Sequence, residues 1–265
     1  SGDGGDESFA GYTRHMQARR LERIVNKVPY GVRKLSSGLI CKVPVHVWDS
    51  LYGGAARFLS KDSKQVLFGE KLHKLANVLN VKSTNQIYEG VTSISGDWSK
   101  FQKKSIQLNS SNWWHEPPSN LSIEEQFMYS DTVRFLCDDV LTKVDRATMN
   151  YSLEARVPLL DHRIIEYAWS LPMSMKLKGN SGKHILKKLL EQYLPAEYWE
   201  RPKMGFTVPL VDWLRGPLRD WASALLSRDE VERSGVLNAD QVESVWNRFC
   251  TGEDYLQHRI WNLLM

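Results

Sequence analysis

Cysteine is scarce in this sequence. Cys41, Cys137 and Cys250 are an odd set, and no two of them share a Cys-x-x-Cys spacing. A disulfide framework or thiolate zinc site is therefore not expected; buried thiols in a reducing compartment are. Apolar runs approaching the ~18 residues of a membrane span are absent, and no signal-peptide pattern opens the chain. These absences predict a cytoplasmic protein with no membrane partner. Glycine (17) and proline (10) are too few for collagen or simple repeats. A large excess of one charge is lacking too. The 35 Lys and Arg against 31 Asp and Glu leave +4, which argues weakly for an anionic partner and does not argue for nucleic acid. The seven histidines form no HxxxH or HExxH pattern, so none is taken as a metal ligand. What is present suffices for a core. With 42% hydrophobic residues in 265, at about 150 residues per domain, one or two domains can form without a disulfide or metal staple.

Apolar spacing is helical almost throughout. It predicts helices over 7–25, 45–60, 63–80 and from Ser83 to Ile94, with Pro29 and Pro44 in first turns. Residues 105–120 read as a loop. Ser122-Ile123-Glu124-Glu125 is a capping box opening a long segment, and 138–152 continue as helix. An extended stretch is expected at 155–160 around Pro158, then a helix capped by Asp161. A hairpin-like loop at 178–182 leads into a helix over 183–194. Residues 200–209 read as a loop, followed by short helices at 209–215, 217–227, 238–250 and 254–264. Most of the ten tryptophans fall at helical positions and are core candidates. At most one or two short strands emerge, so the expected class is mainly α.

Three clusters carry residues suited to chemistry. The first is Ser1-Gly2-Asp3-Gly4-Gly5-Asp6-Glu7. Gly2, Gly4 and Gly5 permit close backbone approach to a ligand, and free N–H groups in such a loop favour phosphate. Asp3, Asp6 and Glu7 would repel phosphate unless a cation intervenes, which suggests Mg²⁺ with polyphosphate; the plainer alternative is an exposed turn with Asp6 as a helix cap. The second runs from Asp138 through Lys143, Asp145 and Arg146 to Glu154-Ala155-Arg156-Val157-Pro158. Glu154 and Arg156 flank an apolar stretch expected to be partly buried, either as a structural ion pair or as the wall of a polar pocket. The third is Arg201-Pro202-Lys203-Met204-Gly205-Phe206, where a stiff loop could present Lys203 to a transferring group. Ser181-Gly182-Lys183 lacks the upstream spacing of a Walker loop and is read as a helix start with a surface lysine.

These clusters, in this order, resemble the asparagine synthetase family. SGDGGDE-x-F-x-GY at Ser1–Tyr12 looks like its acidic glycine loop, LTKVDRATMNYSLEARVPLLDH at Leu141–His162 like its longest signature, and RPKMGFTVPL at Arg201–Leu210 like its lysine loop. The closing YLQHRIWNLLM is similar to its last helix. The resemblance implies ATP- and Mg²⁺-dependent adenylation of the aspartate side chain. Ammonia from an upstream glutaminase domain then displaces AMP to give asparagine. It implies a parallel α/β fold of the adenine-nucleotide alpha-hydrolase type extended by helices, with residues 1–265 its C-terminal, mainly helical part. By position, Asp6 matches the Mg²⁺–pyrophosphate aspartate. Asp3 stands where some members carry a glutamate, and Lys203 matches the adenylation lysine. Glu154 and Arg156 match the carboxylate pocket. Gly2, Gly4, Gly5, Lys143 and Arg146 are carried over as substrate-side residues, and a homodimer is a further expectation.

The chain departs from the family in lacking its Ser-Gly-Gly-x-Asp-Ser pyrophosphate loop and the glutaminase domain. The expectation is a fragment cut at the acidic loop, folded or partly folded but inactive alone, exposing surface that upstream strands would cover. Two alternatives stand beside this reading. One is the same chemistry on another carboxylate, such as a sugar acid of surface polysaccharide, or β-lactam closure. The other is a non-catalytic helical interaction module.

Overall fold

The structure is a computed structural model that describes residues 2–59, 68–82, 86–93, 98–103, 116–200 and 208–265. In chain order its helices begin with α1 (Gly5–Ser8), α2 (Thr13–Lys27), α3 (Tyr30–Lys42), α4 (Val45–Leu59), α5 (Phe68–Leu79) and α6 (Ile87–Thr92). After the next described segment begins come α7 (Ile123–Ser130), α8 (Thr142–Met149), α9 (His162–Ser170), α10 (Met173–Lys176) and α11 (His184–Leu190). The chain closes with α12 (Leu210–Arg215), α13 (Arg219–Leu225), α14 (Arg228–Arg233), α15 (Ala239–Cys250) and α16 (Gln257–Leu264). Strand pairing among the described residues is limited to the isolated bridges Gln102–Leu237 and Lys178–Ser181. The class is mainly α, as the periodicity predicts.

The chain divides into two compact units. Residues 1–24 and 110–204 form the first, and residues 25–109 and 205–265 the second. In the first unit, Ser122 and Glu125 build the predicted capping box. The Ser122 backbone N–H donates to Glu125 Oε2 at 2.9 Å, and the Glu125 N–H to Ser122 Oγ at 3.4 Å. Below α7 the helix widens into a π-helix over Asp131–Leu141. Thr142 Oγ1 donates to the Cys137 carbonyl at 2.9 Å, an i−5 contact in keeping with i→i+5 winding. Phe9, Ala168 and Leu171 form a small core with Ile164, Ile185 and Leu186 against it.

In the second unit, buried Arg33 donates from Nη1 to the carbonyls of Leu79 (3.0 Å) and Val81 (2.7 Å). The guanidinium thereby satisfies carbonyls left open at the end of α5. A Cβ on Gly69 would lie 2.4 Å from the Val45 carbonyl oxygen, so α4 and α5 meet where only glycine fits. The C-terminal helices pack around Phe101, Leu214, Val242, Val245, Phe249 and Ile260. Within α15 the buried positions 242, 245 and 249 mark one helical face, and Asn238 caps its start by accepting from the Gln241 N–H.

Several expectations need correction. The helix expected over 7–25 breaks after Ser8, because Ala10 takes φ +56° and the Gly11 N–H closes a turn on the Asp6 carbonyl at 2.8 Å. The extended stretch expected over 155–160 holds only as far as Val157; Pro158–Leu160 form a 3₁₀ turn with proline at its start. A helix at Arg228–Arg233 stands where none was expected. Cys41 and Cys137 are exposed, not buried, and Cys250 is half-buried. Among the described residues no tryptophan reaches the fully buried core, and Trp213 and Trp221 are exposed. The start of the 63–80 helix and that of the Ser83 helix, most of the 105–120 loop and residues 201–207 lie outside the described residues.

Candidate active site

The acidic loop meets the Pro158–Leu160 turn, which follows the Glu154–Arg156 segment in sequence, within the first unit. Gly4 adopts φ +81°, a left-handed conformation that suits glycine, and starts the four-residue α1. A Cβ on Gly4 would lie 2.2 Å from Leu160 Cδ2, and one on Gly5 2.8 Å from Leu159 Cδ1. Both glycines thus serve close packing onto the 3₁₀ turn that follows Arg156. Gly2, by contrast, is exposed with open space around it.

Below the loop, Glu7 is buried and accepts the Tyr12 hydroxyl at 2.6 Å. Burial first, then this bond and the Glu7 charge, push the Tyr12 phenol far above its ordinary range, so it stays a neutral donor. Asp6 Oδ2 lies 3.0 Å from Lys183 Nζ, with the Asp6 side chain 28% exposed. The expected surface lysine is therefore the ion-pair partner of the acidic loop. Its backbone N–H donates to the Phe9 carbonyl at 2.8 Å, and Lys183 itself holds φ +56°. Gly182 makes that approach feasible, since a Cβ there would sit 2.0 Å from the Ala10 carbonyl oxygen.

Asp145, Glu154, Arg156 and Leu160 line one cavity of about 530 Å³. Arg156 Nη2 donates to Glu154 Oε2 at 3.0 Å, but their side chains are 84% and 68% exposed. The apolar stretch beside them is half-buried at Ala155, Val157, Leu159 and Leu160, as expected, while the charged pair itself stays exposed where the backbone leaves α8 at Ser152 with φ +56°. Lys143 and Arg146 are exposed on α8 and do not line this cavity. Asp161 caps α9 by accepting from the Arg163 N–H, and the Arg163 side chain and N–H hold its carboxyl well below the usual range. Lys203 lies outside the described residues.

Sequence reasoning missed the network beneath the loop. Asp131, the first residue of the π-helix, is fully buried and accepts Arg14 Nε and Nη2, each at 2.8 Å. His15 Nε2 lies 2.6 Å from Asp131 Oδ2. The Arg14 guanidinium also stacks 4.0 Å from the Tyr12 ring centre. Burial alone would raise the Asp131 pKa. The hydrogen bonds from His15 and Arg14, with their charge, overcome it and hold the carboxyl below its ordinary value. The Arg14-His15 pair just after Gly11-Tyr12 was the available signal, but its acidic partner stands 116 residues from His15.

A second cavity of about 1120 Å³ opens between α2, the 178–182 hairpin and α11. Asp6 and Lys183 stand in its wall, with Arg19, Arg20, Arg23, Glu124 and Lys187. No group of three or more His, Cys, Asp or Glu converges on a metal-sized centre among the described residues. Asp6 does fit the role of one carboxylate in a Mg²⁺–phosphate set, since such sites need only one or two carboxylates beside ligand phosphates. The Lys183 ammonium shows that the position already attracts a cation.

The asparagine synthase family model matches residues 1–265, and the chain belongs to this family. Asparagine synthetase (glutamine-hydrolyzing) 1 of Bacillus subtilis is 24% identical over 278 residues, covering 100% of this chain and 39% of that protein. Asparagine synthetase (glutamine-hydrolyzing) of Mus musculus is 31% identical over 154 residues, 56% of this chain and 26% of its own length. A protein of Gibberella zeae named amidase chry2 is 23% identical over 282 residues, covering 94% of this chain and 38% of that protein. The chain thus spans under two fifths of the length of these curated relatives. No solved structure matches it significantly.

Proposed function

We propose that this chain is the mainly helical portion of an ATP-dependent, amide-forming ligase that converts aspartate to asparagine with ammonia drawn from glutamine. The supporting observation, in a chain of this family, is the packing of Gly4 and Gly5 on Leu159 and Leu160. That packing brings the acidic loop against the turn that follows Arg156 in sequence. The aspartate side-chain carboxylate attacks the α-phosphorus of ATP, forming an acyl-adenylate and releasing pyrophosphate. Ammonia then adds to the acyl carbon, the C–O bond to AMP breaks, and a proton is lost.

Arg156 binds the acceptor's carboxylate, and Glu154 orients that arginine and takes up proton or ammonium charge beside it. Lys203 neutralises charge developing on the phosphoryl oxygens. Asp6 would hold Mg²⁺ with the ATP phosphates, and the ion would offset phosphate charge. Asp3 handles a proton or a ligand hydroxyl at the same loop. Gly2, Gly4 and Gly5 bring backbone N–H groups to the phosphates, and Lys143 and Arg146 act on the substrate side. The helices extend an adenine-nucleotide alpha-hydrolase-like sheet, and the protein works as a cytoplasmic homodimer.

The test is Lys203→Ala in the complete protein, scored by pyrophosphate release with aspartate, ATP and ammonia. A loss of roughly 10²–10³ in rate is expected; an unchanged rate refutes the assignment. The 265-residue chain alone is expected to form no asparagine. A second reading, with another carboxylate as acceptor, stands beside it, since a relative aligned over 94% of this chain bears a name other than asparagine synthetase. A panel of acids in the same assay separates the two.

A further inference from the structure

The proposed function makes no use of α3. One face of that helix is fixed against α5: Arg33 donates to the Leu79 and Val81 carbonyls, and Ser37 Oγ donates to the Ala76 carbonyl at 2.8 Å. The Trp48 indole N–H holds its end by donating to the Ile40 carbonyl at 3.1 Å. The opposite face therefore has a set orientation, and it is apolar. Val32, Leu35 and Leu39 are 54%, 67% and 57% exposed. They stand at i, i+3 and i+7, the spacing of a seam that faces another helix. A shallow groove of about 340 Å³ runs along Leu35 and Leu39. Gly31 and Gly38 leave it open, since a Cβ added at either would meet nothing within 4 Å.

A second observation concerns charge. Lys34 and Lys42 line the same groove, and neither has a carboxylate partner among the described residues. Residues 25–48 hold four Lys and Arg and no Asp or Glu, in a chain whose totals are 35 and 31. These lysines argue against a second copy as the occupant. Two α3 helices packed antiparallel about Gly38 would set Lys34 of one against Lys42 of the other, and a parallel pair would set each lysine against itself. A lipid surface takes a broad apolar face that sinks into the headgroup layer, whereas here three apolar side chains border an open notch. A ridge of side chains from a facing helix fills such a notch.

We propose that this face of α3 docks an acidic amphipathic helix of a partner protein. The partner's apolar residues enter the groove beside Leu35 and Leu39, and its carboxylates meet Lys34 and Lys42. The contact is small, so the complex is a transient one. No residue of α3 belongs to the three clusters of the proposed function. Loss of synthesis in Lys203→Ala and loss of docking here are separate results.

The experiment is fluorescence anisotropy of the chain with a labelled synthetic helix of about 21 residues, Leu at its a and d positions and Glu at e and g, and with its Lys-for-Glu counterpart. Saturable binding of the acidic peptide is expected, at least about tenfold tighter than the basic one and weakened by salt. The exposed double variant Leu35→Ser/Leu39→Ser should weaken it by about tenfold or more, with circular dichroism unchanged. Lys34→Glu/Lys42→Glu should lose the acidic peptide and gain the basic one. No binding, equal binding of both peptides, or an unchanged preference in the charge-reversed variant overturns the proposal, as does a leucine variant that binds like wild type. Binding to phosphatidylserine vesicles but not to the peptide, or self-association abolished by the leucine variant in sedimentation velocity, would assign the face to a membrane or to a second copy and overturn it equally.

Discussion

Asp131→Ala is the sharpest test of what holds the acidic loop in place. The Asp131 carboxylate is fully buried and serves Arg14 at 2.8 Å and His15 at 2.6 Å. Removing it strands two donors. Breaking one side of a buried ion pair costs about 3–5 kcal/mol. Arg14 retains 19% side-chain exposure and can partly recover water, so we expect the lower end, about 3 kcal/mol. His15 has no such outlet, since its side chain is fully buried and its Nδ1 already lacks a partner. In urea unfolding followed by circular dichroism, the midpoint should fall at constant m, and the melting temperature should drop by roughly 6–12 °C. Asp131→Asn keeps the shape and one acceptor, and should lose about half as much. The pH dependence gives an independent check. The folded carboxyl titrates below its unfolded value of about 3.9, so its stabilisation is present above that pH and is lost as pH falls through the folded pKa. Wild type should therefore lose more stability below pH ~4 than Asp131→Asn does. A cost under about 1 kcal/mol for Asp131→Ala, or parallel acid profiles, would refute this account of the network.

Other outcomes follow from the same geometry. Gly182→Ala should destabilise by about 1–3 kcal/mol, because the new methyl meets the Ala10 carbonyl, whereas Gly2→Ala, in open space, should stay within about 0.5 kcal/mol in the same denaturation assay. Lys176 is fully buried with no hydrogen-bond partner, and burial lowers its pKa. The folded state thus disfavours its proton, so Lys176→Met should raise the urea midpoint at neutral pH, and the gain should shrink as pH rises towards ~10. Tyr151 (77% exposed) and Leu153 (62%) put apolar surface beside the Glu154 cavity, so sedimentation velocity should show concentration-dependent self-association that Tyr151→Ser/Leu153→Ser reduces; a strictly monomeric wild type would contradict this.

Local chemistry made much of the helical layout legible. The Ser122–Glu125 box, the Asp161 cap and the 178–182 hairpin are each written within five residues and occur as expected. The failures have different causes, and only some are decided by a partner distant in sequence. Ala10 is forced into a positive φ by the tight turn that carries Gly11 against Asp6, and nothing in a helical pattern warns of it. The π-helix is invisible to a periodicity that samples only 3.6 and 2.0. Lys183 reads as a solvated lysine until Gly182 is seen to seat it against Ala10 and Asp6.

The glycines of the acidic loop are better understood as contact points than as sources of flexibility. Gly4 and Gly5 lie where Leu159 and Leu160 leave no room for a side chain, and Gly11 and Gly182 do the same against Asp6 and Ala10. The loop is therefore clamped from two sides. Glu7 and Tyr12 close it from below through a 2.6 Å bond, and Asp131 ties the following helix to the π-helix. A loop held this way presents Asp3 and Asp6 with little conformational entropy left to lose on binding, which is what a site for a highly charged ligand requires. Substitutions at Leu159 or Leu160 should accordingly disturb the acidic loop as directly as substitutions within it, although neither leucine carries any chemistry of its own.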